Sequence, residues 1–110
     1  MKLTRASKRP EIVYILIVDK TSEVIDMALE GQLTMEARKA RPEARVRFER
    51  NGQILTMFWE WEYKGQKLSY SRAELRQDYE KDPEMVGAVV DFCVIQMGIL
   101  EKGIDDAAPR

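Results

Sequence analysis

An alternation of apolar and polar residues runs from position 44 to position 71, ARVRFERNGQILTMFWEWEYKGQKLSYS, and constrains the fold more than any other part of the chain. Successive side chains of a β-strand point to opposite faces, so this pattern predicts strands with one covered face and one solvent-facing face. Asn51-Gly52 and Lys64-Gly65 interrupt the alternation with residues that suit tight turns. We therefore predict three strands joined by two hairpins, an antiparallel meander.

The first hairpin predicts a strand register. A type I′ turn needs positive φ angles at both central residues, and Asn51-Gly52 is a strong sequence signal for that turn. As a two-residue loop it places Arg50 opposite Gln53 and Phe48 opposite Leu55. Apolar residues then face apolar residues on one side of this strand pair, as a covered sheet face requires.

The second hairpin extends the register to the third strand. With Lys64-Gly65 as a two-residue loop, Glu62 lies opposite Lys67 and Trp59 lies opposite Tyr70, which gives an ion pair on one face and an aromatic pair on the other. The opposite, mostly polar face is expected to see water. The face predicted to be covered carries Ala44, Val46, Phe48, Leu55, Met57, Trp59, Trp61, Leu68 and Tyr70.

Helices are predicted on both sides of the meander. Before it, Thr21 or Ser22 can cap a helix that ends near Ala40 and is weakened in its middle by Gly31. After it, two more helical segments follow, and the predicted fold is α+β with the element order αβββαα and one sheet face covered by helices.

The two helices after the meander are predicted from their start signals. Ser71 begins a capping-box pattern, Ser-Arg-Ala-Glu, which predicts a short charged helix over residues 72–81. Asp82-Pro83 predicts the start of the longest apolar helix, which ends near residue 102 with Gly103 directly after it. This last helix carries two neighbouring apolar stripes and is expected to lie across the tryptophan-bearing face of the sheet.

The chain is expected to contain one domain, residues 10–103, between a flexible basic arm at 1–9 and a flexible tail at 104–110. Residues 12–18, IVYILIV, are seven consecutive apolar residues. They are either a buried strand or part of a first helix that begins at Pro10. Both alternatives leave apolar surface that the meander, already covered by the last helix, does not accommodate.

We therefore predict a two-fold homodimer, in which the N-terminal element and the second stripe of the last helix form the subunit interface. A simpler interpretation is that all of these residues are the core of an obligate dimer, with no further partner. The residues assigned to the protein interface are Tyr14, Ile15, Ile17, Val18, Val86, Val90 and Met97.

Catalytic and metal chemistry have little support in the composition. The chain has no histidine and one cysteine, Cys93, which excludes Cys–His and Ser–His–acid catalysis, His-containing zinc sites and a CxxC motif. We expect Cys93 to be a buried apolar residue, and we predict no enzyme activity, no cofactor and no metal ion. The longest apolar run is too short to span a membrane, so a cytoplasmic protein without membrane contact is expected.

The function predicted from these features is that of a small non-enzymatic regulatory protein. It would bind another protein through an apolar helix or its N-terminal surface, for example to block the dimerisation or activity of a transcription factor. Six methionines suit an adaptable binding surface. Residues 1–50 carry 11 basic and 8 acidic side chains, and 51–110 carry 7 and 11, so the two halves have opposite net charge.

The alternative is nucleic-acid binding through the basic arm and an arginine cluster at residues 38–50. Glutamates are interleaved with these basic residues, however, and a solvated surface of mixed charge accounts for the pattern more simply. The candidate nucleic-acid contacts are Arg38, Lys39, Arg41, Arg45 and Arg47.

Overall fold

The computed structural model describes residues 27–107. By its internal contacts the chain divides into two compact units, Met1–Glu30 and Gly31–Arg110. In the first unit the described residues, 27–30, are helical. The predictions on the basic arm, on the apolar run at 12–18 and on the cap of the first helix lie outside the described residues.

The described chain has an α+β architecture. Helix α1 is described over residues 27–40, and Gly31 does not interrupt it. The predicted order of elements, αβββαα, is confirmed. The elements after α1 are β1 (Arg45–Asn51), β2 (Ile54–Tyr63), β3 (Gln66–Leu75), α2 (Arg76–Lys81) and α3 (Met85–Ala107).

The three strands form one antiparallel sheet in the order β1-β2-β3, the predicted meander. The register of the second hairpin is also confirmed, because Glu62 pairs with Lys67 and Trp59 pairs with Tyr70. The loop residues Lys64 and Gly65 have φ angles of 50° and 81°. Both central residues of this turn are therefore left-handed, as a type I′ turn requires.

The register predicted for the first hairpin is wrong by two residues. Arg50 pairs with Leu55 instead of Gln53, and Asn51 pairs with Ile54, so the loop is Gly52-Gln53. Gly52 has a φ of 61°, whereas Gln53 does not have a positive φ. The turn thus places glycine at its first central position, as type II′ turns do, instead of at the second. A shift of two residues leaves every side chain on its predicted face, since side-chain direction alternates with period two.

The two faces of the sheet differ as predicted. On the covered face of β2, Leu55, Met57, Trp59 and Trp61 are buried, and Trp59 has no exposed surface. The opposite face of the sheet is largely exposed along all three strands.

The boundary between β3 and α2 differs from the prediction. Ser71 does not cap a helix, because β3 continues to Leu75, and α2 begins only at Arg76. Residue Leu75 has extended backbone angles and makes no side-chain cap hydrogen bond. The reason is the length of β2: its first residue, Ile54, pairs with Leu75, so ladder hydrogen bonds hold residues that the capping-box pattern assigned to a helix.

Helix α3 starts near the predicted position and ends later. The side chain of Asp82 accepts a hydrogen bond from the backbone N–H of Glu84 at 3.1 Å, directly before the helix. The helix passes through Gly103 and reaches Ala107, later than the predicted end near residue 102. Its last turn is held to the second hairpin, where the Tyr63 hydroxyl donates to Asp105 at 2.9 Å.

The apolar core lies on the covered face of the sheet and collects side chains from α1, β2, α2 and α3. This arrangement leaves α3 with one side in the core and its opposite side in solvent. The buried apolar residues are Leu33, Ala37, Leu55, Met57, Trp59, Trp61, Tyr79, Val86, Val89, Val90, Cys93 and Met97.

Candidate protein interface on α3

The residues predicted from sequence to form a protein interface are placed as follows. Tyr14, Ile15, Ile17 and Val18 lie outside the described residues. Val86, Val90 and Met97 have exposures of 8%, 2% and 0%. These three residues are therefore part of the core of the described chain.

One side of α3 is buried in the core. Val86, Val90, Cys93 and Met97 follow one another at helical spacing and are all buried. Burial raises the pKa of the Cys93 thiol to about 11. The thiol is thus protonated at neutral pH and inaccessible, which agrees with the expectation that Cys93 is a buried apolar residue.

The opposite side of α3 carries large apolar side chains in solvent. Phe92, Ile95 and Ile99 are 39%, 60% and 57% exposed, and Ala88 is exposed on the same side. Their spacings of four, three and four residues place them in one line along the helix. We call Ala88, Phe92, Ile95 and Ile99 the α3 seam.

One member of the seam is fixed by a neighbouring charge. The guanidinium carbon of Arg72, on β3, lies 4.2 Å from the centre of the Phe92 ring. The Nε of Arg72 is also 2.6 Å from a carboxylate oxygen of Glu74. A cation held over one face of the ring restricts the Phe92 rotamer, while Phe92 stays 39% exposed.

The C-terminal half of α3 is held by a charged cluster. The guanidinium of Arg41 binds Glu101 through two hydrogen bonds of 2.7 Å each, and the Trp61 indole donates to the same carboxylate at 3.0 Å. Hydrogen bonding to Arg41 lowers the pKa of Glu101 from its ordinary value, against the opposing effect of burial. Glu43 also accepts a hydrogen bond from Arg41, at 3.1 Å. This cluster ties the chain after α1 to β2 and α3.

The same cluster bears on the alternative of nucleic-acid binding. Arg41, one of the candidate phosphate contacts, has a side chain that is only 17% exposed and already binds two carboxylates. A phosphate would have to replace Glu101 and leave that carboxylate without its cation, which is costly for a largely buried charge.

The other candidate nucleic-acid contacts lie among carboxylates. Lys39 forms an ion pair with Glu36 at 3.2 Å, and the Arg47 side chain pairs with Glu49 at 2.8 Å. Arg47 also lies 4.1 Å from the centre of the Phe58 ring. Arg45 is paired in register with Glu60, and Arg38 is exposed on α1. The surface around residues 38–50 is thus one of mixed charge.

The carboxylates of the outer sheet face do not form an enclosed site. Glu60 and Glu62 are both exposed on β2. They border an open groove of about 600 Å³, together with Arg45 and Lys67. Because water reaches these side chains freely, the groove does not provide the desolvation that usually tunes a general acid or base.

Residues 27–107 contain neither a metal-binding cluster nor a membrane-spanning helix. No cluster of three or more potential metal-ligating side chains occurs in this part of the chain. Nor does this part contain a helix with the length and hydropathy needed to cross a bilayer.

Comparison with known proteins gives no relative from which a function could be transferred. No family model matches the chain, and no similar curated protein or solved structure was found.

Proposed function

We propose that this chain is a non-enzymatic protein that acts by binding a protein through the α3 seam. The observation that carries the proposal is the line of three large apolar side chains, Phe92, Ile95 and Ile99, each at least 39% exposed on one helix. Single exposed apolar residues are normal on a protein surface, but a continuous row of them is typical of an interaction site.

The contacts that hold helix α3 in place also favour this proposal. Helix α3 is 23 residues long, with its inner side packed in the core and its C-terminal half bound through Glu101 and Asp105. The seam is therefore presented in a fixed conformation before any partner binds. A preformed surface loses less conformational entropy on association than a flexible one. Recognition of an apolar helix face in this way is a common mode of protein binding.

The chemistry of the described residues supports a binding protein more than an enzyme. The Cys93 thiol is buried and protonated, and the Glu60 and Glu62 carboxylates lie in an open, solvated groove. A regulatory effect on the partner, such as occupation of the dimerisation surface of a transcription factor, stays a prediction.

Site-specific photo-cross-linking tests the proposal. A photoreactive amino acid at Asp91, an exposed residue beside the seam, is compared with the same amino acid at Glu80, an exposed residue of α2. Both positions are acidic, helical and solvent-facing, so they are matched for folding and for random collision. We expect a discrete cross-link to a second polypeptide from position 91 and none from position 80. A folded protein that forms no such cross-link at position 91, in lysate or in purified form, would refute the proposal.

A further inference from the structure

We infer that the partner of the α3 seam is a second copy of this chain, and that the two α3 helices pair in antiparallel orientation. This inference rests on the proposed function, since it identifies the occupant of the same surface. It is carried by three features of the outer side of α3: the spacing of the apolar residues, their size order and the charges at the two ends.

The spacing is that of a helix pair. From Met85 the outer side of α3 continues in alternating steps of three and four residues through Asp106, which is the a/d pattern of a heptad repeat over three heptads. An a/d row faces another helix along its whole length, whereas a wider apolar stripe suits a broad groove. The positions in this row are Met85, Ala88, Phe92, Ile95, Ile99, Lys102 and Asp106.

The order of large and small side chains along the row makes the row complementary to a second copy of itself. A two-fold axis between Phe92 and Ile95 brings Phe92 opposite Ile95 of the second copy, and Ala88 opposite Ile99 of the second copy. Each apolar residue of the seam then meets an apolar residue, and the smallest one meets a large one. Alternation of large and small side chains across facing positions favours close packing. A self-complementary patch is what a two-fold dimer requires.

The end charges select the antiparallel orientation. The same axis brings Lys102 of one copy opposite Met85 of the other, whose neighbour in the sequence is Glu84. Glu84 is exposed, and its carbonyl accepts the Ala88 N–H at 3.2 Å, so it continues the line of the helix. The Lys102 side chain is 76% exposed, and its contact with Asp106 is long, at 3.8 Å. A parallel pair would bring Lys102 next to Lys102 and Glu84 next to Glu84, which is repulsive.

Disulfide trapping tests the orientation. Two variants, Ala88→Cys and Ile99→Cys, are oxidised separately and after mixing. The native Cys93 can remain, because it is completely buried. In the antiparallel pair position 88 meets position 99, while the two copies of position 88 are about 16 Å apart along the axis. A disulfide needs Cα atoms within about 7 Å.

The expected result is a disulfide-linked dimer that forms only in the mixture and joins one Ala88→Cys chain to one Ile99→Cys chain. Disulfide dimers within the Ala88→Cys sample alone would instead show parallel pairing and overturn the inference. Absence of any disulfide dimer, in variants whose circular dichroism matches the parent, would also overturn it. The parent protein, with Cys93 only, is the control and is expected to form none.

A charge exchange gives an independent readout. Lys102→Glu and Glu84→Lys are each expected to weaken dimerisation several-fold, and the double variant is expected to restore it. A double variant that dimerises no better than the weaker single variant would contradict the proposed register.

The outcomes separate this inference from the proposed function. If the cross-link from position 91 joins a different protein and the chain is a monomer, the seam is still a binding site and only the dimer is refuted. If position 91 cross-links only within its own chain, for example to residues 1–30, both proposals are wrong.

Discussion

The two sides of α3 have similar composition and opposite surroundings. The inner side carries Val86, Val90, Cys93 and Met97, none of them more than 8% exposed, whereas the outer side carries the α3 seam in solvent. The difference shows that the apolar arc of this helix is wider than one sheet face can cover. One side becomes core, and the surplus apolar surface remains exposed to solvent.

The largest effect on the free energy of unfolding is expected at Trp59, the fully buried residue on the covered face of the sheet. Trp59→Ala removes a large side chain with no exposed surface and should destabilise the fold by about 3–5 kcal/mol. Phe58→Ala, on the opposite sheet face, is the control and should cost clearly less because Phe58 is only half-buried. Urea unfolding followed by tryptophan fluorescence or circular dichroism measures both. Equal losses would remove the distinction between the two faces of the sheet.

A matched pair on α3 tests the comparison within one helix. Met97→Ala should cost about 2–5 kcal/mol, since Met97 is completely buried. Ile99→Ala, two residues further and 57% exposed, should change the free energy of unfolding of the monomer by less than about 0.5 kcal/mol. Both values are measured by denaturation in dilute solution, where association does not contribute. If the Ile99 variant loses as much as the Met97 variant, the outer side is not a free surface.

The charged cluster at the C-terminal half of α3 should have an intermediate effect. Glu101→Gln replaces a carboxylate that binds Arg41 and Trp61, and should cost about 2 kcal/mol. Glu62→Gln, an exposed carboxylate on β2, is the control and should have little effect. A Glu101→Gln protein as stable as the parent would show that the cluster does not hold the helix.

The pH dependence of this effect has a definite sign. Hydrogen bonding to Arg41 lowers the pKa of Glu101 in the folded protein, so the ionised carboxylate favours the folded state. This stabilisation is fully present above the unfolded-state pKa of about 4.3 and is lost as the pH falls through the lower folded-state value. Thermal unfolding from pH 7 to pH 3 should therefore show the parent approaching Glu101→Gln in stability at acid pH. A gap that stays constant would contradict the assignment.

The smallest effects are expected at two glycines. Gly98, within α3, has no atom within 4 Å of an added Cβ, so Gly98→Ala should stabilise the helix by about 0.5–1 kcal/mol. Gly65, in the second hairpin, has a φ of 81°, and Gly65→Ala should destabilise by about 1–2 kcal/mol. Thermal unfolding measures both changes in stability. If Gly98→Ala stabilises the protein and Gly65→Ala destabilises it, the backbone angle at each glycine decides the effect, and the space around the added Cβ does not. A loss at Gly98 would mean that α3 has a close neighbour on that side.

The sequence predicted the sheet better than it predicted the orientation of α3. Alternation with period two assigns faces directly, and the assignment survived a register error of two residues at Asn51-Gly52. For α3, both stripes are apolar, and the stripe that faces the sheet depends on how the helix packs against the rest of the fold. That packing depends in part on Arg41 and Glu101, which are sixty residues apart in the sequence. A pattern of neighbouring residues in the sequence does not predict a contact between residues so far apart.

The central claim is that the outer side of α3 is an association surface for a second copy. Sedimentation equilibrium of the parent, of Ile95→Asp and of Ile54→Asp tests it most directly. Ile54 is the control, because it is an apolar residue 41% exposed on the sheet, away from the seam. We expect twice the chain mass for the parent and for Ile54→Asp, and the single chain mass for a folded Ile95→Asp. A monomeric parent, or an Ile95→Asp protein that remains a dimer, would contradict the account.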